Sequence, residues 1–231
     1  MIPKRHVLYL HGFASSARSS KAAFFADRLA PHGIRLTTPD FNEPDFEHLT
    51  ITRMIGQVRE TLSALPPAPV AVIGSSLGAF VAVHAAAAQD GWRLGARIDR
   101  LVLLAPALDF GRTRLADIGD AGVARWKESD RLDVFHHAFG RTMPLRYALY
   151  DDAGRYDSFA VSLVLPTLIF QGRRDDVVNP EVPVQWADGR PNVRLRLLDD
   201  DHQLLSSLEI ISAATFTFLE IAHSPESTSA S

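Results

Sequence analysis

The segment Gly74-Ser75-Ser76-Leu77-Gly78 carries the residues of this 231-residue chain best suited to covalent chemistry. It follows the apolar run Val70–Ile73 and leads into Ala79-Phe80-Val81-Ala82-Val83, so the pattern reads strand, sharp turn, helix. In that setting the central serine, Ser76, sits in a strained conformation with its hydroxyl pushed out beyond the strand. A bulky residue at 74 or 78 would collide with the strand or the helix. The helix start also offers free N–H groups that favour developing negative charge. The same glycines do not form a phosphate loop, because there is no third glycine at the required spacing and no Gly-Lys-Ser/Thr.

A serine hydroxyl is a weak nucleophile. It needs a general base within hydrogen-bond reach and an acid to orient that base. Nine histidines are available. His84 follows on the same helix, displaced by about 12 Å along the axis. His136 and His137 are adjacent and point in different directions; His32, His48 and His223 have polar surroundings; His6 precedes the first strand. His202 lies within Asp199-Asp200-Asp201-His202-Gln203, after the last expected strand and before the last helix, which puts it on the same sheet edge as Ser76. It is the candidate base. Three carboxylates could orient it: Asp175 and its neighbour Asp176, after the run Thr167–Phe170, and Asp109, after Leu101–Leu104. Acyl transfer also needs two donors aimed at an oxyanion. The backbone N–H of Leu77 is one candidate. The N–H of Phe13, in the loop His11-Gly12-Phe13-Ala14-Ser15-Ser16, is the other, with His11 bracing that loop.

The elements that must position these groups are legible as an alternation. Expected strands are His6–Leu10, Ile34–Thr37, Val70–Ile73, Leu101–Leu104, Thr167–Phe170 and Val193–Leu197. Expected helices cover about Ser19–Ala30, Phe46–Ala64, Leu77–Gln89 and Leu204–Ile221. The strands read as continuous apolar runs, as strands covered on both faces do. The fold class is α/β: a mainly parallel central sheet of about six strands with helices on both faces. Residues from about 107 to 165 are too many for a structureless connection and hold many aromatic side chains, so a short helical cap over one end of the sheet is expected there.

Composition excludes several function classes. Lys plus Arg is 24 and Asp plus Glu is 27, a formal net charge of −3, so no basic face and no nucleic-acid partner are expected. With no cysteine, disulfides, thiolate zinc sites and a cysteine nucleophile are all excluded. No apolar run reaches the roughly 18 residues of a membrane helix. Val7-Leu8-Tyr9-Leu10, after Lys4 and Arg5, is too short for a signal-peptide core. A soluble, cytoplasmic protein without a membrane partner is expected.

Taken together, His11-Gly12-Phe13, Gly74-Ser75-Ser76-Leu77-Gly78, Asp175 and His202 resemble an α/β-hydrolase over residues 6 to about 221. Tyr9-Leu10-His11-Gly12-Phe13-Ala14-Ser15-Ser16, with Ser19-Ser20-Lys21-Ala22 and the Gly-Ser-Ser-Leu-Gly turn, resembles more narrowly the small YqiA/YcfP-type bacterial esterases. The resemblance implies an α/β-hydrolase fold lacking the first two strands. It implies a single domain over 1–223 with the cap at about 107–165, leaving 224–231 as a disordered tail. It also favours Asp175 as the acid, through Gly172-Arg173-Arg174-Asp175, over Asp176 and Asp109. The implied activity is a serine hydrolase of carboxylic esters using Ser76, His202 and Asp175, with no metal and no organic cofactor. Its substrate is expected to be a small ester with a hydrophobic acyl group, in a pocket drawn from Phe13, Phe110, Trp126 and Phe135. Thioesters, amides and lactones suit the same three residues. A non-catalytic ligand- or partner-binding protein is the alternative from another class, and a homodimer through the cap is left open.

Overall fold

The computed structural model describes residues 5–113, 115 and 118–221, so the expected tail at 224–231 lies outside the described residues. In chain order the elements are β1 (His6–Leu10), α1 (Ser20–Leu29), β2 (Leu36–Thr37), α2 (Ile51–Ala64), β3 (Pro69–Ser75), α3 (Leu77–Ala88), β4 (Arg97–Leu104), α4 (Phe110–Thr113), α5 (Gly119–Ser129), β5 (Leu132–His136), β6 (Arg141–Leu145), α6 (Ala148–Ala153), β7 (Thr167–Gly172), α7 (Glu181–Ala187), β8 (Val193–Leu198) and α8 (Leu208–Leu219). Six strands form one sheet in the order β2-β1-β3-β4-β7-β8, every neighbouring pair parallel.

The apolar runs follow from burial on both faces. Successive strand side chains point to opposite sides. Leu8, Leu10, Val70, Val72, Leu101 and Leu103 enter a core shared with α2 and α3, through Met54, Val58, Leu62 and Phe80. Their sequence neighbours Val7, Tyr9, Ala71, Ile73, Val102 and Leu104 enter a second core shared with α1 and α8, through Phe25, Leu29, Ile211 and Phe216. Strand β8 departs from this pattern. Its Arg194 and Arg196 alternate outward and are exposed, as suits an edge strand that must not recruit another sheet. The opposite edge is the two-residue β2.

Helix starts follow local chemistry. The Ser19 side chain accepts from the Ala22 N–H and begins α1, and Thr50 accepts from the Arg53 N–H and begins α2. The residues 46–49 expected within α2 therefore precede its cap, Thr50. Helix α3 is buried almost all round, which its Ala- and Val-rich sequence permits.

The cap differs from expectation. It contains the short helices α4, α5 and α6, but also the antiparallel hairpin β5–β6, paired from Leu132↔Leu145 to His136↔Arg141. A four-residue turn closes it, with Gly140 at φ 62°. Pro144 within β6 argues against a strand in a large sheet, but a two-stranded ribbon leaves it an unpaired side. The hairpin reaches the outgoing loop of β1, where the Ala138 N–H donates to the Ala14 carbonyl at 3.4 Å.

Candidate active site

Ser76 lies between the end of β3 and the start of α3, with φ 51° and ψ −117°. A positive φ on a non-glycine residue is strained and persists only where its surroundings over-determine it. Here the Ser76 N–H donates to the Leu104 carbonyl at 2.9 Å. A Cβ at Gly74 would stand 2.6 Å from the Ala79 Cα, and one at Gly78 would collide with the carbonyl oxygen of Leu10. Only glycine lets α3 pass this close to the end of β1. Both glycines that frame the serine are thus required by packing.

The parallel sheet brings the other two side chains to the same edge. Asp175 follows β7 and His202 follows β8. His202 Nε2 is 3.2 Å from Ser76 Oγ. Its Nδ1 is 3.0 and 2.9 Å from the two carboxylate oxygens of Asp175. Because the carboxylate can only accept, the hydrogen-bond network assigns the proton to Nδ1 and leaves the Nε2 lone pair facing the serine hydroxyl. The Asp175 carboxylate also accepts from the backbone N–H groups of Val177 and Val178 at 2.9 and 2.8 Å, and from Gln171 Nε2 at 2.7 Å. Burial pushes the Asp175 carboxyl up. The hydrogen bonds from His202, Val178 and Gln171 outweigh that and hold it below the usual carboxylate range. Asp176 points outward and is exposed. Asp109 is half-buried at the start of α4, where burial raises its carboxyl, and its backbone carbonyl accepts from Arg112 and Thr113. The structure therefore brings Ser76, His202 and Asp175 into one line and leaves Asp176 and Asp109 out of it.

The β1 loop closes the other side of Ser76. A Cβ on Gly12 would lie 3.3 Å from the Ser76 Cβ. His11 holds this loop: its Nδ1–H donates to the Gly12 carbonyl and its Nε2 accepts from the Phe41 N–H, both at 2.9 Å. A second brace was not anticipated. Asn42 donates from Nδ2 to the Ser15 carbonyl at 2.8 Å and to Asp40 at 2.8 Å, while its Oδ1 accepts from Nε2 of the fully buried His136, at the end of β5, at 2.9 Å. The loop carrying Phe13 is thus tied through Asn42 to the cap hairpin. Leu77 is the first residue of α3, where helix geometry leaves N–H groups without an intrahelical acceptor.

A cavity of about 260 Å³ opens over these groups. Phe13, Ala14, Val134, Phe135 and Val177 give it apolar walls, and Tyr9, Lys21, His137 and Gln203 line it as well. Of the four expected pocket aromatics, Phe13 and Phe135 line it. Trp126 does not: it is 1% exposed and donates its indole N–H to the Leu145 carbonyl at 2.9 Å, inside the core of the cap. Phe110 is also buried away from the cavity, edge-on to Phe80 at 5.8 Å. Aromatic character does not by itself mark a cleft residue, because a ring serves a core as readily. His84, rejected as a base on helix geometry, is packed between Phe80 and Tyr156 beside Ser158, and burial brings its pKa down to about 4. A larger depression of about 710 Å³, lined by residues such as Pro67, Ala86, Gly95 and Val164, contains none of the site's side chains. Among the described residues, no group of three or more His, Asp or Glu could hold a metal ion, and no helix is long and apolar enough to cross a membrane.

A model of UPF0227, an uncharacterised protein family, matches residues 6–215. The chain belongs to the UPF0227 family. In sequence, this UPF0227 member matches no curated protein. In structure it is similar to Est1E from Butyrivibrio proteoclasticus, with a TM-score of 0.73 and 21% identity over 94% of this chain and 88% of that one. It is similar to alpha/beta hydrolase domain-containing protein 10 from mouse, at 0.76 and 17% over 93% and 89%. It is similar to the esterase EaEST from Exiguobacterium antarcticum, at 0.66 and 16% over 95% and 93%. At these identities the likeness establishes the fold, and the UPF0227 chain has the α/β-hydrolase fold.

Proposed function

We propose that this protein is a serine hydrolase that cleaves carboxylic esters of a small acyl group through an acyl-enzyme. The observation that carries the reading is the line from Ser76 Oγ to His202 Nε2 at 3.2 Å and from His202 Nδ1 to Asp175 at 2.9 Å. His202 takes the Ser76 proton as Oγ attacks the acyl carbon, then gives it to the departing alcohol. Water attacks the acyl-enzyme by the same path, and Ser76 regains its proton when the acid leaves. Asp175 fixes the imidazole tautomer and stabilises the transient imidazolium. The N–H groups of Leu77 and Phe13 receive the oxyanion, which Ser76 faces from the start of α3. The apolar walls formed by Phe13, Val134 and Phe135 suit the hydrocarbon part of the acyl group. The name esterase, carried by the Exiguobacterium neighbour, is in keeping with this class.

Two measurements test the reading. A fluorophosphonate should label the protein at Ser76. Ser76→Ala should lower turnover of short-chain 4-nitrophenyl esters by about 10⁶-fold. Absence of labelling, or hydrolysis that survives the substitution, would overturn it in favour of a ligand-binding member of the fold.

A further inference from the structure

Lys21 lies in the first turn of α1, is 7% exposed, and lines the same cavity as Ser76 and His202. Its ammonium donates to the Gln203 carbonyl at 2.9 Å, and among the described ion pairs none joins it to a carboxylate. An ammonium carries three N–H donors, and this bond uses one of them.

The carboxylates whose field reaches Lys21 make their hydrogen bonds to other groups, apart from one oxygen of Asp200. Asp175 is held by His202, Gln171 and two backbone N–H groups. Asp200 Oδ1 accepts from the Asp201 N–H, and Asp201 Oδ1 accepts from the Gln203 N–H. Asp200 Oδ2 is buried without a hydrogen-bond partner. Burial brings the Lys21 pKa down to about 8, against the opposing field of Asp201, Asp175 and Asp200. That field favours the charged form without occupying its donors.

Two roles compete for this residue. As a brace, Lys21 would hold the loop after β8 through Gln203. A neutral donor would make that bond without desolvating a charge, and a buried ammonium making a single hydrogen bond is costly even in the field of nearby carboxylates. A brace alone therefore does not account for an ammonium at this position. We propose that Lys21 anchors a carboxylate on the substrate, so that the preferred ester is short and carries an anionic end. The cavity, at about 260 Å³, is smaller than the sites that enclose drug-sized ligands, which matches a short chain between Ser76 and the ammonium. The inference rests on Ser76 being the nucleophile of an ester hydrolase.

The test compares kcat/KM within two pairs of esters, four in all: 4-nitrophenyl hydrogen glutarate, its neutral methyl ester, 4-carboxyphenyl butyrate, which carries the charge on the leaving group, and the neutral 4-(methoxycarbonyl)phenyl butyrate. A charge-assisted hydrogen bond predicts that a correctly placed carboxylate gives about a tenfold advantage over its neutral counterpart. Lys21→Met should abolish that advantage. An advantage on the first ester places the anchor on the acyl side, and on the third, on the alcohol side. If the variant does not fold, the wild-type pH dependence tests the same point. The anionic-to-neutral ratio should fall as pH rises past about 8, because both esters use the same Ser76 and His202 and their titration cancels. The other titratable groups facing Lys21 or its cavity are Tyr9, His137, Asp175, Asp200 and Asp201. No advantage for either charged ester, a ratio flat with pH, or equal losses on charged and neutral esters in Lys21→Met would overturn the anchor and leave a brace. Failure of the underlying reading looks different: hydrolysis of all four esters would be absent or indifferent to Ser76→Ala.

Discussion

Two regions meet at the cavity and are held in place by different means. On one side, β3, Ser76 and α3 form a turn whose geometry is imposed by backbone packing, with Gly78 against the end of β1 and the Ser76 N–H bonded to β4. On the other, the hairpin β5–β6 makes one long backbone bond to the β1 loop, from Ala138 to Ala14, and is tied to it by side chains, from His136 through Asn42 to the Ser15 carbonyl. Backbone packing tolerates almost no substitution and so leaves a short, recognisable residue pattern. Side-chain packing can be met by many sequences and leaves little pattern.

The sharpest way to break this contrast is Gly78→Ala. The added methyl would strike the Leu10 carbonyl, so α3 and Ser76 must move. Misplacement of a reacting group by about an ångström costs about 10²-fold. Ester hydrolysis by the folded variant should fall at least that far, as measured by kcat on a short-chain ester. Activity within a few-fold of wild type would mean that the turn is not backbone-determined.

Asn42→Ala probes the other side. It removes both the bond to Ser15 and the one from His136, loosening the loop that carries the Phe13 N–H. Since removing an oxyanion donor outright costs about 10²–10³, loosening one should cost about tenfold in kcat with little change in KM. His136→Ala added to Asn42→Ala should then lose little more, because both act through one link. Additive losses would show that the hairpin and the loop are independent.

The same contrast explains what could be read from the sequence. The sheet was legible because burial on both faces forces continuous apolar runs such as Leu101–Leu104. Ser76 and His202 were legible as neighbours because a parallel sheet delivers the loops after its strands to one edge; the same rule delivers Asp109 and Asp176 there too, so the choice of Asp175 came from the resemblance. The hairpin was not legible, since Leu132–His136 is short, carries Asp133, and faces Pro144 in its partner. Nor was Asn42, whose role depends on contacts to residues 15 and 136 that no local pattern links. Lys21 was visible only as part of a resemblance, because nothing in its neighbours marks it as buried.

His84 lies on α3 and faces Ser158 and Tyr156, beyond the hairpin in the same cap. Burial depresses its pKa from the usual 6.5 to about 4. The unfolded chain therefore binds a proton that the folded protein refuses. This contribution to stability is intact above about pH 6.5 and is lost as pH falls toward 4, amounting to about 3 kcal/mol. Urea denaturation across that window should show the slope, and His84→Leu should flatten it. Asp175, whose carboxyl is held below the usual carboxylate range by its hydrogen bonds, withdraws its contribution only at lower pH, as it protonates.

The finest test lies within the cap, between two aromatic residues that the sequence treats alike. Trp126 is enclosed by Tyr147 and Tyr150 and bonded to Leu145, so Trp126→Ala should cost about 3–5 kcal/mol of stability. Phe135 is 53% exposed at the cavity wall, so Phe135→Ala leaves no enclosed void and should change stability by less than about 1 kcal/mol. Its effect should instead fall on selectivity. Loss of one apolar wall changes the contact made by a longer acyl chain more than that made by acetate, and a methylene or two of hydrophobic contact is worth about 10-fold or less in kcat/KM. A 4-nitrophenyl ester series from acetate to decanoate, run on both variants, separates the two roles. A selectivity change in Trp126→Ala equal to that in Phe135→Ala would mean that the interior of the cap, and not only its inner surface, shapes the substrate site.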